Sequence, residues 1–188
     1  LTNSIHLLNK SPKARILLEF SKILRSGESL KTFQSMASSS IFSVLSPGIN
    51  KLFNKSNSSS LILQGILQGL DKVNCNSRKQ MSEATLFATI CYPFIQEKNF
   101  NFPNETIFKQ KIEDITRNLG FSKKLVEKIA RIFYVQNSLE TCQVRRIPKR
   151  SPNFFLKDAL DFLLIRSIFN SHLKKSYEFW KENVEKIK

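Results

Sequence analysis

Only five glycines occur in 188 residues, and a chain so poor in the residue that turns tightly without strain cannot be assembled from many short hairpins. Valine is scarce beside isoleucine and leucine, so strands built on β-branched residues are disfavoured too. Helix is what remains. Ile16, Leu17, Phe20, Ile23 and Leu24 recur at the three- and four-residue spacing of one helical face. Ser11 and Pro12 stand before them as N-cap and first-turn proline, and Gly27 follows at the C′ position.

The same reading predicts a short helix over 29–37, a serine joint over 38–40, and a turn that starts at Pro47 and runs through Ile49, Leu52 and Phe53. A polar loop over 54–60 leads into a helix over 61–73, in which Gly65 and Gly69 let another helix approach closely. Further helices are predicted over 82–95, over 105–119 with Asn104 as cap and Gly120 at C′, and over 122–139. The segment 145–152 holds two prolines and four cations and cannot be helical throughout. Residues 154–169 are apolar on nearly every face, as in a central buried helix, and an amphipathic helix over 173–187 closes the chain. The expected fold is all-α: an elongated array of eight or nine helices with no sheet. It divides into neck-like helices over 1–55 and a helical body over 56–188, the body carrying the basic linker 145–152 and the buried helix near the C-terminus.

Charge narrows the partner. The formal net charge is +15, of which +6 falls in residues 1–55, +3 in 56–144 and +6 in 145–188. A charge this large repels itself and favours a polyanion as partner. Arg145, Arg146, Lys149 and Arg150 lie on the proline-stiffened linker, where several cations meet a row of phosphates at low ordering cost. Lys51 and Lys55, with Lys10, Lys13 and Arg15, add to the same field if the ends of the chain meet. Binding through such contacts weakens steeply with salt and carries weak sequence preference. Sixteen of the twenty aromatic residues are phenylalanine, mostly at core spacing, with no stacking platform for single strands.

Catalytic patterns are missing. No G-x-x-x-x-G-K-[ST] or G-x-G-x-x-G occurs, so no phosphate cradle of those kinds can be drawn. His6 and His172 stand beside no recognisable nucleophile motif and read as surface residues. Asp158 and Asp161 lie three apart and could share a divalent cation, but carboxylates early in a helix are favoured by its dipole, with Arg145, Arg146 and Arg150 near in sequence as partners. Glu113 and Asp114 read as a solvated face among Lys109, Lys111 and Arg117. Cys75, Cys91 and Cys142 form neither a C-x-x-C pair nor a zinc pattern and read as free thiols of a reducing compartment. No apolar stretch approaches the length of a membrane span, and the N-terminus lacks the pattern of a signal peptide. A cytoplasmic protein is expected, and since the chain does not begin with Met, a fragment of a longer one.

The order of segments carries a resemblance. Residues 15–27 (RILLEFSKILRSG), 45–53 (LSPGINKLF), 84–94 (ATLFATICYPF), and 154–166 with Asp158, Asp161 and Arg166, then Trp180 beyond, resemble the C-terminal half of the bacterial poly(A) polymerases. These are relatives of the class II CCA-adding tRNA nucleotidyltransferases. The resemblance implies an RNA-binding neck and body that follow a catalytic head. In the family that head binds ATP and a divalent metal through a Gly-Ser loop and an Asp-x-Asp pair, and a Glu-Asp-x-x-Arg helix recognises the base. None of these lies in this chain, so no catalytic residue, metal or cofactor is assigned to it, and the head is its implied partner. Asp161 and Arg166 match the family's terminal motif, which implies a buried ion pair or cap there.

Three readings stand open on the sequence. In the first, the chain holds the acceptor RNA of a polynucleotide adenylyltransferase that adds AMP from ATP to RNA 3′ ends. In the second, it is a helical module that meets an acidic protein or anionic surface. In the third, it is the same region of a CCA-adding enzyme. Whether the chain counts as an enzyme depends on the head.

Overall fold

In the computed structural model, which describes residues 11–54, 58–76, 80–96, 105–117, 119–143 and 153–183, the helical spacing becomes ten α-helices and no strand among those residues. They are α1 (Lys13–Arg25), α2 (Ser29–Ser38), α3 (Ile41–Leu45), α4 (Pro47–Asn54), α5 (Ser58–Asn76), α6 (Glu83–Gln96), α7 (Glu105–Thr116), α8 (Lys123–Glu140), α9 (Asn153–Phe169) and α10 (Lys174–Asn183), with a 3-10 turn, Ser171–Leu173, before the last. The all-α class stands. The expected count was short because the serine joint hides α3, which begins after Ser40 takes a left-handed conformation at φ 60°.

Local punctuation accounts for some helix ends. Ser122 caps α8 by accepting from the Leu125 amide at 3.2 Å, and Gly27 turns the chain out of α1 at φ 80°. Three ends differ from expectation. Pro12, not Ser11, occupies the N-cap of α1, and no side chain caps it. Helix α7 stops at Thr116, whose hydroxyl bonds back to the Ile112 carbonyl at 2.7 Å, and Gly120 follows at φ 73°. The final helix starts only after the 3-10 turn, which Asn170 caps through the His172 amide. The caps expected at Asn104 and the cations of the linker 145–152 lie outside the described residues.

Two groups of rings organise the interior. Phe20, Phe33, Phe42 and Phe53 bring α1, α2, α3 and α4 together, with the Phe20–Phe33 pair edge-on at 5.8 Å. Tyr92, Phe108, Phe133 and Phe162 join α6, α7, α8 and α9. One continuous apolar cluster runs from Phe20 to Trp180, with α5 between the groups: it packs on α1, α2 and α4 on one side and on α6 and α9 on the other. Gly65 and Gly69 do what their spacing implied, since the Phe169 ring lies over Gly65 and the Ile165 carbonyl over Gly69.

The buried ion pair expected near Arg166 exists, but its acid is Glu140. Arg166, 7% exposed, donates from Nη1 to Glu140 Oε1 at 2.5 Å and to Gln136 Oε1 at 3.0 Å. Its guanidinium lies 4.6 Å from the centre of the Tyr92 ring. Gln136 in turn donates to the Ala159 carbonyl at 3.0 Å, so α8 and α9 are tied by a polar network whose members satisfy one another.

Candidate nucleic-acid interface

Helix α1 is fixed at both ends, and this determines where its cations point. At its C-terminal end Asn74 of α5 donates to the Leu24 carbonyl at 2.8 Å, and Arg25 donates to the Met81 carbonyl at 2.8 Å. At the N-terminal end Lys13 lies along Gly120, where a Cβ would meet the lysine Cβ at 2.5 Å, and its Nζ donates to the Arg117 carbonyl at 3.4 Å. Glycine at position 120 therefore serves twice, in its positive φ and in the room it leaves for Lys13.

That contact assembles a basic patch the sequence did not reveal. Lys13, from the first turn of α1, meets the α7–α8 turn, whose flanks carry the exposed side chains of Arg117, Lys123 and Lys124. Arg117 is held by Asp114 at 2.7 Å, whereas Lys123 and Lys124 make no ion pair among the described residues. Arg15 is exposed too, but two residues along a helix put it on a different face from Lys13. Lys51 is exposed on α4. Lys10, Lys55, Arg145, Arg146, Lys149 and Arg150 lie outside the described residues. Some cations elsewhere are neutralised: Glu105 draws Lys109 at 3.5 Å and Arg131 at 3.4 Å, and Glu19 holds Lys22 at 2.9 Å.

The two aspartates of α9 occupy the interior, not a solvated first turn: Asp158 is 7% exposed and Asp161 2%. Among the described residues no three of His, Cys, Asp and Glu come together as a metal cage. Burial pushes the Asp158 carboxyl above its ordinary value of 3.8; its hydrogen bond with Ser82 pulls it back, neighbouring Asp161 raises it, and Lys128 and Lys157 lower it. An acid whose pKa is raised by folding binds its proton more tightly in the folded state, so stability falls as pH rises from 3.8 through the folded value and is level above. Asp158→Asn removes that fall and keeps a polar partner for Ser82. Urea midpoints at pH 7 should rise above the parent's while those at pH 3.5 converge; a variant less stable than the parent at pH 7 would contradict the assignment. His172 is exposed, as expected, and His6 lies outside the described residues. Cys91 is buried and its thiol is pushed up to about 12, which keeps it unreactive at neutral pH.

Among the described residues no helix is long and apolar enough to cross a membrane. Residues 1–53 match the family described as "Probable RNA and SrmB- binding site of polymerase A", a stretch that ends inside α4 and includes Lys13, Arg15 and Lys51. Poly(A) polymerase I of Salmonella typhi and its counterpart in Escherichia coli O157:H7 are each 24% identical to the chain over 190 aligned positions. The alignment takes in 94% of this chain, which spans 41% of the length of these curated relatives. No solved structure gives a significant match. Nearly the whole chain is therefore similar to one region of the bacterial poly(A) polymerases, as the resemblance in its sequence implies.

Proposed function

We propose that this chain is the RNA-holding helical part of a polynucleotide adenylyltransferase, which adds AMP from ATP to RNA 3′ ends through a catalytic head outside these residues. The observation that carries the reading is the match of residues 1–53 to an RNA-binding region, in the same stretch whose exposed Lys13 reaches the α7–α8 turn at Arg117 and Gly120. Backbone phosphates are the natural ligand of such a patch, because mobile lysines hold phosphate as point charges without reading bases. Arg15, Lys51 and Lys55, and the linker cations Arg145, Arg146, Lys149 and Arg150, extend the contact. ATP and its divalent metal belong to the head, and the chain alone transfers no AMP.

The test is a titration of the chain with labelled oligoadenylate over a range of salt. Binding in the micromolar range or weaker is expected, with affinity falling steeply as salt rises. Each phosphate contact removed by charge reversal at Lys13, Lys123 or Lys124 lowers the log–log salt slope by about 0.7. No binding at low salt, or binding indifferent to salt, defeats the reading. The family description also names SrmB, which favours a second reading, a protein-docking surface on the same segment. In that case charge reversal at Lys13, Arg15 and Lys51 leaves RNA affinity unchanged and abolishes capture of the protein partner.

A further inference from the structure

A groove of about 380 Å³ opens between the N-terminal end of α4 and the exposed side of α7, lined by Ser46, Pro47, Gly48, Phe94, Lys111, Asp114 and Ile115. Its floor is polar in an unusual way. Ser46 is 4% exposed, and its hydroxyl makes no hydrogen bond among the described residues, although it precedes a helix whose first amides lack partners. Its backbone is already engaged: the Ser46 amide donates to the Phe42 carbonyl at 2.9 Å, and its carbonyl accepts from the Asn50 amide at 3.0 Å. Pro47 has no N–H to offer. The amides of Gly48 and Ile49 make no hydrogen bond among the described residues; Ile49 is fully buried, so the Gly48 amide is the donor of the first turn that the groove reaches.

The Ser46 side chain is buried on its other sides and opens on the groove, where a ligand can supply the hydrogen-bond partner that the chain does not. Here the surroundings specify what that is. An amide at a helix N-terminus, a hydroxyl and an ammonium line the same groove, and all favour an anion with several acceptor oxygens. Lys111 makes no ion pair among the described residues. The one carboxylate at the groove, Asp114, is held by Arg117 at 2.7 Å. Gly48 lacks the Cβ that would stand 3.3 Å from the Phe94 ring, and this leaves its backbone open to close approach. Pro47, Phe94 and Ile115 supply apolar wall beyond the polar end.

We propose that this groove seats one nucleotide of the bound RNA, its phosphate on the Ser46 hydroxyl, the Gly48 amide and the Lys111 ammonium, and its ribose and base along Phe94 and Ile115. The inference rests on the RNA-binding reading above and deepens it. The groove lies at the end of the stretch that matches the RNA-binding family, and its size suits a nucleotide better than a bare phosphate, since small-molecule sites span roughly 300–1,000 Å³.

The experiment uses amide NMR spectra of the whole chain, titrated separately with inorganic phosphate, AMP and a five-residue oligoadenylate. Saturable shifts of the Gly48 and Ile49 amides are expected with all three, tightest with the oligomer. Ser46→Ala removes one charge-assisted hydrogen bond and should weaken oligomer binding about tenfold. Lys111→Gln should weaken it and lower the salt slope by about 0.7. The same charge change at Lys181, on α10, which packs on α8 and α9, should leave the Gly48 and Ile49 shifts intact. If the oligomer binds but those two amides stay still, the site is wrong and the RNA reading survives. If AMP moves them and the oligomer does not, the groove takes a free nucleotide and the assignment to RNA is overturned. If no RNA binds at all, both fail, whatever phosphate does.

Discussion

Alanine in place of Trp180 lowers the unfolding free energy by about 4 kcal/mol, within the range for truncating a large buried aromatic. Trp180 is completely buried, and its indole nitrogen donates to the Leu139 carbonyl at 2.7 Å. One residue on, the Ser176 hydroxyl donates to the Glu140 carbonyl at 2.8 Å. The last carbonyls of a helix have no intrahelical donor, so α10 supplies what the end of α8 lacks. The truncation removes the ring and orphans the Leu139 carbonyl together. Trp180→Phe separates the two losses, because it keeps most of the packing and gives up the donor; it should cost about 2 kcal/mol. Urea unfolding followed by circular dichroism reads both, as the chain's one tryptophan is itself the fluorescent probe. For a chain of this size the alanine variant should melt roughly 10 °C below the parent. A loss under about 1 kcal/mol for Trp180→Ala would mean that α10 does not hold the end of α8.

This anchoring shows where sequence reasoning reaches and where it stops. The three-residue spacing of Tyr177 and Trp180 puts both on one face of an amphipathic helix, because spacing reports on the face a residue shares with neighbours three and four positions away. The Leu139 carbonyl, 41 residues back, lies beyond any such pattern. The same holds for α2, which gets no cap from Glu28. Asp71 of α5 caps it instead, accepting from the Ser29 amide at 2.8 Å and the Leu30 amide at 3.0 Å. Ser122, Gly27 and Gly120 were legible because caps and left-handed turns are local. The basic patch was half legible. Lys13 stood out as a cation near the N-terminus, but its place against the α7–α8 turn depends on Gly120 having no side chain. The Ser46 groove left a weaker trace, a Ser-Pro-Gly run that reads as a helix start and says nothing of whether the serine caps it.

Gly65 and Gly69 were read as one feature and should behave as two. Alanine is favoured over glycine inside a helix by about 1 kcal/mol, so each substitution begins with a gain, and the contact decides the sign. At Gly69 the new Cβ would stand 2.6 Å from the Ile165 carbonyl oxygen. That oxygen belongs to the backbone of α9 and cannot withdraw unless the two helices part, which disturbs the packing of Leu63, Leu67 and Leu70 as well. Overpacking of a closed interface costs typically 1–3 kcal/mol, so Gly69→Ala should lose about 2 kcal/mol net, and Gly69→Val more. At Gly65 the obstacle is the Phe169 ring, which is 47% exposed and can swing into solvent about its own side-chain bonds. The apolar area it gives up is worth about as much as the helix gains, roughly 1 kcal/mol, so Gly65→Ala should be near neutral. Equal losses at the two positions would show that the helices touch evenly along the G-x-x-x-G face. A large difference, with Gly69 the sensitive one, shows that the closest approach is backbone to backbone at a single point, and that α9 is positioned on α5 there.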